Sequence, residues 1–429
     1  MLGIKLIREN PESVRANIER RQDDEKLKLL EKVIKLDTKW RDLTQQVNDL
    51  RESRNKISLE IAKLKKAGKD EQAKAKMKEA ARIPKKLEQM EKKRDELQDE
   101  LKTGLMKLPN MLHESVPFGK DENDNIEIKR WGQQPKFNFE PKGHTEIVTA
   151  LGLADFERAA KISGAGFVYI KGELALLDLA IQNFAINFLM KRGFTVVEPP
   201  LMMRRKAYEG VTDLGDFENV MYKAEGEDLY LIATSEHPMG AIYMNEVLEK
   251  AQLPIKLCGV SPCFRREVGT HGKYTKGFFR MHQFDKVEQF VFCLPEQSWQ
   301  LHEELQKNSE ELYQALGLHY RVVNVCTGDI GSIAAKKYDT EIWMADGQFR
   351  EIGSNSNCTD YQARRLNIRW REAEGKPVAG FVHTLNNTAL ATSRTMMAII
   401  EQFQQKDGTV VVPKVLRPLM GGIEVIGKK

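Results

Sequence analysis

The chain has 429 residues, and its 67 basic and 62 acidic side chains leave a net charge of +5. A hydrophobic share of 41% supports a packed core and excludes disorder throughout, and the length allows about two to three domains. Cys258, Cys263, Cys293, Cys326 and Cys358 are odd in number and contain no CxxC pair, which suits a reducing compartment and gives neither a disulfide framework nor zinc spacing.

The first ten residues mix basic, apolar and acidic types and lack the apolar core of a signal peptide. Asn10 followed by Pro11 is a helix start, a cap and then a first-turn proline. From Val33 an apolar seam runs through Leu36, Trp40, Leu43, Val47, Leu50, Ile57, Ile61 and Leu64. Its steps of three and four predict a long coiled-coil helix. Ala67, Gly68, Lys69 and Asp70 break the run, and Met77, Ala80, Leu87, Met90, Leu97 and Leu101 form a second seam, in which Pro84 should introduce a kink. The pair is expected to form an antiparallel hairpin whose arms reach about 55 Å, too thin to be a globular core. Residues 26–102 hold 23 Lys and Arg against 15 Asp and Glu, a net of +8, which leaves −3 for the rest. A basic hairpin fits contact with a phosphate backbone, and equally a solvated coiled-coil surface or a protein-binding arm.

Residues 108–145 are rich in Pro, Gly, Asn and Asp and read as a linker with little regular structure. Helical patterns at 173–191, 296–316 and 394–405 then alternate with β-branched runs at 194–197, 229–232 and 320–323, a mixture of helix and strand. Asp178, Gln182, Asn183 and Asn187 interrupt the most apolar stretch, 174–190, which therefore reads as a core helix rather than a membrane span. Neither GxGxxG nor GxxxxGK[ST] is present, so a Rossmann or P-loop nucleotide site is not supported.

Four stretches carry chemistry: Thr234, Ser235 and Glu236; the run FRREVGTHG at 264–272 with FRMHQFDKVEQF at 279–290; EIGSNSNCTDYQARR at 351–365; and NNTALATSR at 386–394, continuing as TMMAIIE to 401. Taken singly, Arg265 and Arg394 could be surface ion pairs, Glu236, Glu288 and Glu351 exposed charges, Thr388 a turn residue and Phe284 core. The ordered set is what points elsewhere. With GFTVVEPP at 193–200, these stretches resemble motifs 1, 2 and 3 of the class II aminoacyl-tRNA synthetases, specifically the seryl-tRNA synthetase family in its archaeal and eukaryotic form. Ala391 and Ser393 stand where motif 3 usually has glycines.

The resemblance implies an α+β fold, a class II antiparallel sheet flanked by helices behind an N-terminal antiparallel coiled-coil arm: a tRNA-binding domain at 1–107, a transition at 108–145 and a catalytic domain at 146–429. It implies ATP-dependent activation of L-serine and transfer to serine tRNA, and to selenocysteine tRNA where an organism has one. By their matches, Arg265 and Arg394 would be catalytic, on the α- and γ-phosphates. Thr234, Ser235, Glu236, Arg265, Glu288 and Thr388 would bind L-serine. Arg265, Arg266, Glu267, Met281, Phe284, Glu351, Ile352, Gly353, Ser354 and Arg394 would bind ATP, with Glu267 on the adenine amino group and Phe284 on its face. Glu351 and Ser354 would hold Mg²⁺, and no zinc is expected. Lys56, Lys63, Lys65, Lys66, Lys69, Lys74 and Lys76 would contact tRNA. A cytoplasmic homodimer joined through motif 1 is implied. Another class II amino-acid specificity, or a non-catalytic synthetase-like binding protein, are the competing readings.

Overall fold

The computed structural model describes residues 1–213, 218–267 and 277–427. The motif 2-like loop at 268–276 lies outside the described residues. Two compact units are present, Met1–Pro109 and Asn110–Lys429.

The first unit is helical: α1 (Ile4–Glu9), α2 (Pro11–Arg20), α3 (Asp24–Lys66), α4 (Asp70–Ala80) and α5 (Ile83–Lys107). Asn10 caps α2 by accepting from the Ser13 N–H, and Asp23 caps α3 from the Lys26 N–H at 3.0 Å. At 1.5 Å per residue α3 is about 65 Å long. It runs antiparallel to α4 and α5: Val33 faces Gly104, Arg51 pairs with Glu91, and Glu60 pairs with Lys76. Leu30, Val33, Leu36, Val47 and Ile57 are buried against Ala73, Ile83, Leu87, Leu101 and Leu105. Pro84 ends one helix and opens another rather than kinking a single one. It has no N–H to give and its ring would strike the carbonyl four residues back, so α4 stops at Ala80 and Pro84 takes a first-turn place in α5. The seam keeps its heptad spacing across the break, with Ala73, Ala80, Leu87 and Leu101 at multiples of seven and Ile83 between them; Met77 falls beside that line and is 46% exposed. Buried Asp37 accepts from Arg8 at 2.6 and 2.9 Å and from Arg41 at 3.0 Å, tying α1 to α3.

The second unit is built on an eight-stranded sheet. Its strands in chain order are β1 (Ile126–Trp131), β2 (Thr195–Val197), β3 (Ile255–Phe264), β4 (Gln283–Cys293), β5 (Tyr320–Asn324), β6 (Lys336–Trp343), β7 (Phe349–Asn357) and β8 (His383–Ala391). Their spatial order is β1-β5-β6-β7-β8-β4-β3-β2. All pairs are antiparallel except β2 with β3, which is parallel. The segment expected as a linker thus supplies an edge strand, β1. It belongs to this unit from Asn110 onward, because the Asn110 side chain donates to the Ile333 and Cys358 carbonyls, both at 2.9 Å.

Strand alternation gives the sheet two different faces. On β4, Val287, Val291 and Cys293 join the main core with the helices α6 (Glu173–Met190), α7 (Ser298–Leu316) and α8 (Thr392–Gln402). The buried amides on this side are satisfied by α7: Gln289 and Asn387 both donate to the Leu305 carbonyl. The opposite residues, Lys286 and Glu288, face a cleft. Phe290 and Phe292 continue that face into a second cluster with Tyr208, Val211, Met239 and Leu257. Polar residues on the cleft face of β4 are therefore free to do chemistry, while the core behind them holds the sheet rigid.

Candidate active site

Two adjoining chambers open on the cleft face. The larger, about 310 Å³, is lined by Thr234, Glu236, His237, Arg265, Lys286, Glu288, Glu351, Ser354 and Thr388 among others. The smaller is a slot of about 50 Å³ between Arg265, Glu267, Phe279, Met281, Phe284, Glu351, Ile352, Gly353, Ser393 and Arg394. Arg265, Lys286, Glu351 and Thr388 line both chambers. They form the shared wall where a ligand in one meets a ligand in the other.

Arg265 follows directly on β3. Its backbone N–H donates to the His282 carbonyl at 2.9 Å, and its Nε donates to the Ala233 carbonyl at 3.2 Å. The rest of the guanidinium lies 5.2 Å from the centre of the Phe284 ring, which is carried on β4 opposite Cys263. Glu267 has a positive φ of 45°, an unusual backbone state for a non-glycine residue, and accepts from Arg280 at 3.0 Å.

Glu351 and Ser354 are three apart on β7, which in a regular strand would send them to opposite faces. The register with β6 slips here: Thr340 faces Gly353 while Glu341 faces Glu351, so Ile352 is the extra residue of a bulge. The bulge turns the Glu351 carboxylate to the same side as Ser354 and Ser356 and sends Ile352 into the core. A second bulge, at Ala389 of β8, places both Thr388 and Ala391 on the slot. Gly353 packs closely on the site: a Cβ there would come within 3.2 Å of the Thr388 Cβ and crowd it.

The electrostatics divide along the same wall. Burial would raise the Glu351 carboxyl, but Arg394, Lys337, Arg265 and Lys286 outweigh it and hold the group below the ordinary carboxylate range. Its side chain is 46% accessible, open to the chamber although walled by protein. Arg394 donates to the Glu351 carbonyl at 2.7 Å and sits over the Phe279 ring at 4.8 Å. Glu236 behaves oppositely: burial first, then the Glu288 charge, push it up to about 7. Asn386 and Gln362 donate to its Oε1 at 3.1 and 3.3 Å. Glu288 is buried, paired with Lys286, and accepts from the Thr388 hydroxyl at 3.3 Å. His237 is pushed down to about 3 by burial and by Lys286 and Arg265, so it stands neutral beside Tyr208.

The oxygen donors fit a hard divalent cation. Glu351 is ionised and shares its face with the Ser354 hydroxyl. Behind them Asp339, paired in register with Ser354, has a buried Oδ1 without a hydrogen-bond partner. Burial raises the Asp339 carboxyl; Lys337 opposes that, and Glu351 adds to it.

Of the expected residues, two are not brought into either chamber. Ser235 is fully buried, and its Oγ is directed at Gly259. Arg266 is exposed and gives its backbone N–H to the Val220 carbonyl at 2.8 Å. Each neighbours a lining residue but lies outside a strand: Ser235 is the cap residue of the helix Glu236–Ala241, and Arg266 follows the end of β3. Ala391 and Ser393, the substitutes for the motif 3 glycines, both line the slot, so small side chains are accommodated there. Phe279, Lys286 and Asn386, which lie in the marked stretches without an assigned role, and His237, just after Glu236, also line the site. Lys286 was within reach of the pattern, being two residues before Glu288 on the same strand.

An antiparallel sheet bearing these chambers, with the arginine of one strand end facing the arginine of a following helix, is the catalytic unit of a class II aminoacyl-tRNA synthetase; residues 217–403 match the family model for the tRNA synthetase class II core domain (G, H, P, S and T). Residues 1–112 match the seryl-tRNA synthetase N-terminal domain. A serine--tRNA ligase of Methanocella arvoryzae is 54% identical over 99% of this chain and all of its own length. The crystal structure of seryl-tRNA synthetase from Pyrococcus horikoshii complexed with ATP superposes with a TM-score of 0.95 at 48% identity, covering 99% of both chains. The cytoplasmic serine-tRNA ligase of Naegleria fowleri in complex with AMP gives 0.89 at 35% identity, covering 99% of this chain and 98% of that one. The chain belongs to the seryl-tRNA synthetase family and is a class II serine--tRNA ligase.

Proposed function

We propose that the larger chamber holds L-serine and the slot holds ATP, with the shared wall of Arg265, Lys286, Glu351 and Thr388 enclosing the reacting atoms. That shared wall is the observation that carries the reading. The serine carboxylate is ionised at neutral pH and needs no base. One of its oxygens attacks the α-phosphorus, the bond to the bridging oxygen breaks, and pyrophosphate leaves with the electron pair. Arg265 meets the charge that grows on the α-phosphate oxygens, and Arg394 binds the γ-phosphate. Phe284 and Phe279 offer faces for the adenine, and Glu267 accepts from its amino group. Glu351 and Ser354 would hold Mg²⁺, which when bound adds positive charge at the phosphates.

Glu236 and Glu288 draw in the serine ammonium, with Thr234 beside them. Thr388, whose hydroxyl lies next to the Glu288 carboxylate, recognises the serine hydroxyl. In the second step a hydroxyl of the terminal ribose of serine tRNA attacks the adenylate carbonyl carbon, and AMP departs. Selenocysteine tRNA has the same chemistry at that end and is a further candidate substrate.

The α3–α5 hairpin is assigned to the tRNA. Lys56 already pairs with Glu52, Lys74 with Glu71, and Lys76 with both Glu60 and Glu79, whereas among the described residues Lys63, Lys65, Lys66 and Lys69 have no ion pair. These four cluster at the turn between α3 and α4, and they support the phosphate-binding role best. A homodimer is supported by the apolar surface of α6 and β2: Leu176, Leu179, Met190 and Val196 are exposed, with Leu179 at 60%. Helix α6 is long and apolar enough to cross a membrane by composition; a two-fold partner accounts for its exposed side without one. The description of the Naegleria fowleri relative as cytoplasmic supports the same location here.

Arg265→Ala and Arg394→Ala test the assignment. Each should lower serine-dependent ATP–pyrophosphate exchange by about a hundredfold or more with an unchanged melting temperature. Near-normal exchange in both would overturn it.

A further inference from the structure

His144 lies outside both chambers, yet it joins the two segments that carry the slot's aromatic and cationic sides. It opens the short helix His144–Ala150 and is 3% exposed. Glu401, on the last turns of α8, is fully buried. One Glu401 oxygen accepts from the His144 backbone N–H at 3.0 Å and stands 2.6 Å from the ring Nδ1; the other accepts from the Ala345 N–H at 2.9 Å. A carboxylate fed by donors assigns the ring proton to Nδ1. The other ring nitrogen, Nε2, is then a bare acceptor, and it takes the Phe278 backbone N–H at 3.2 Å. The imidazole thus uses its two nitrogens in opposite senses, one toward α8 and one toward the Phe278 backbone.

The approach is tight. A Cβ on Gly277 would lie 2.3 Å from both His144 Nε2 and Thr145 Oγ1, and Gly277 has a φ of +78°. The next residue after Phe278 is Phe279, whose ring lies beneath the Arg394 guanidinium, and Arg394 stands in the first turn of the helix that ends near Glu401. Phe279 and Arg394 therefore meet in the slot while their chain segments are tied together at His144.

We infer that His144 is a positioning residue for ATP: through its unprotonated Nε2 it fixes the Phe278–Phe279 backbone against α8, so that Phe279 and Arg394 keep the slot in register. This rests on the slot being the ATP site. Two isosteric changes separate the ring's two roles. In His144→Asn the amide nitrogen replaces Nδ1 and can still donate to Glu401, but nothing accepts from Phe278. In His144→Gln the amide oxygen reaches the Nε2 position and can accept.

The experiment is steady-state ATP–pyrophosphate exchange with the full chain, with KM measured separately for ATP and for serine. His144→Asn should raise KM for ATP about tenfold, the cost of leaving one buried N–H unmet, with KM for serine within about twofold. His144→Gln should restore most of the ATP affinity. Gly277→Ala, which puts a methyl 2.3 Å from Nε2 and so must part the imidazole from the Phe278 backbone, should reproduce the Asn phenotype and decides the matter if His144→Asn does not fold. An unchanged KM for ATP in both His144→Asn and Gly277→Ala overturns the inference, and so does an equal rise for ATP and serine that follows loss of melting temperature. Arg394→Ala is the control: if it too leaves KM for ATP unchanged, the ATP assignment itself has failed.

Discussion

Thr388 and Glu288 face each other across β8 and β4, the Thr388 hydroxyl donating to Glu288 Oε2 at 3.3 Å. Both are buried, and Glu288 is also paired with Lys286. The floor of the larger chamber is therefore a polar group already committed to a carboxylate, with hydrogen-bonding capacity left for one more hydroxyl. Alanine in this chamber would leave that capacity unmet.

Thr388→Val keeps the shape and removes the hydroxyl. Discrimination between serine and alanine, as the ratio of kcat/KM in pyrophosphate exchange, should fall by about ten- to a hundredfold. Thr388→Ser should keep most of it. Undiminished discrimination in the Val variant would mean that the hydroxyl is read elsewhere.

Glu236 is pushed up to about 7 by burial and by Glu288. Below that pH it is neutral and attracts an ammonium group less. KM for serine should rise as pH falls from 8 to 6, and Glu236→Gln should have a high KM that no longer varies there. The stability effect has the opposite sense. A carboxyl whose folded value is raised binds its proton more tightly in the folded state, so stability is lost as pH climbs from the ordinary carboxylate value to about 7. Glu236→Gln should therefore raise Tm at pH 8 and change it less at pH 5. A serine KM flat across this range would contradict the assignment.

On the arm, the quadruple change of Lys63, Lys65, Lys66 and Lys69 to Ala should weaken tRNA charging and flatten its dependence on salt, leaving exchange untouched. Lys56, Lys74 and Lys76 changed together should do less, since each is already neutralised by a glutamate. Each lost phosphate contact should reduce the logarithmic salt slope by about 0.7 to 0.9. Removing residues 26–102 should abolish charging and spare exchange. Full charging by the truncated chain would refute the role of the arm.

Leu179→Glu places a charge on the most exposed leucine of α6. Sedimentation should show a dimer for the parent chain and a monomer for the variant. A parent chain that sediments as a monomer at micromolar concentration would remove the proposed two-fold interface.

Much of this was legible in the residue order. The seam from Val33 to Ile57 is the buried line of α3, because a helical period is local and needs no partner to be read. Arg265, Glu267, Phe284 and Arg394 meet in one slot as their motifs implied. What sequence could not reveal depends on register between distant strands. Glu351 and Ser354 share a face only because β7 slips by one residue against β6 at Ile352. Ser235 and Arg266 were drawn into the expected site by adjacency, and the backbone at a helix cap and beyond a strand end then turned them away. Lys286 escaped notice because a lone lysine on a strand looks like an ordinary solvated charge until Glu288, buried beside it, is seen to need a partner. Met77, three residues before Ala80, fits the seam by spacing, yet the buried line passes through Ala73, Ile83, Leu87 and Leu101 instead.

The most direct test is ATP–pyrophosphate exchange by the purified chain against a panel of single amino acids with Mg²⁺ present. Strong exchange is expected with L-serine, at least about a hundredfold weaker exchange with alanine, and little with threonine, cysteine or glycine. Exchange driven by another amino acid and not by serine would contradict the serine assignment.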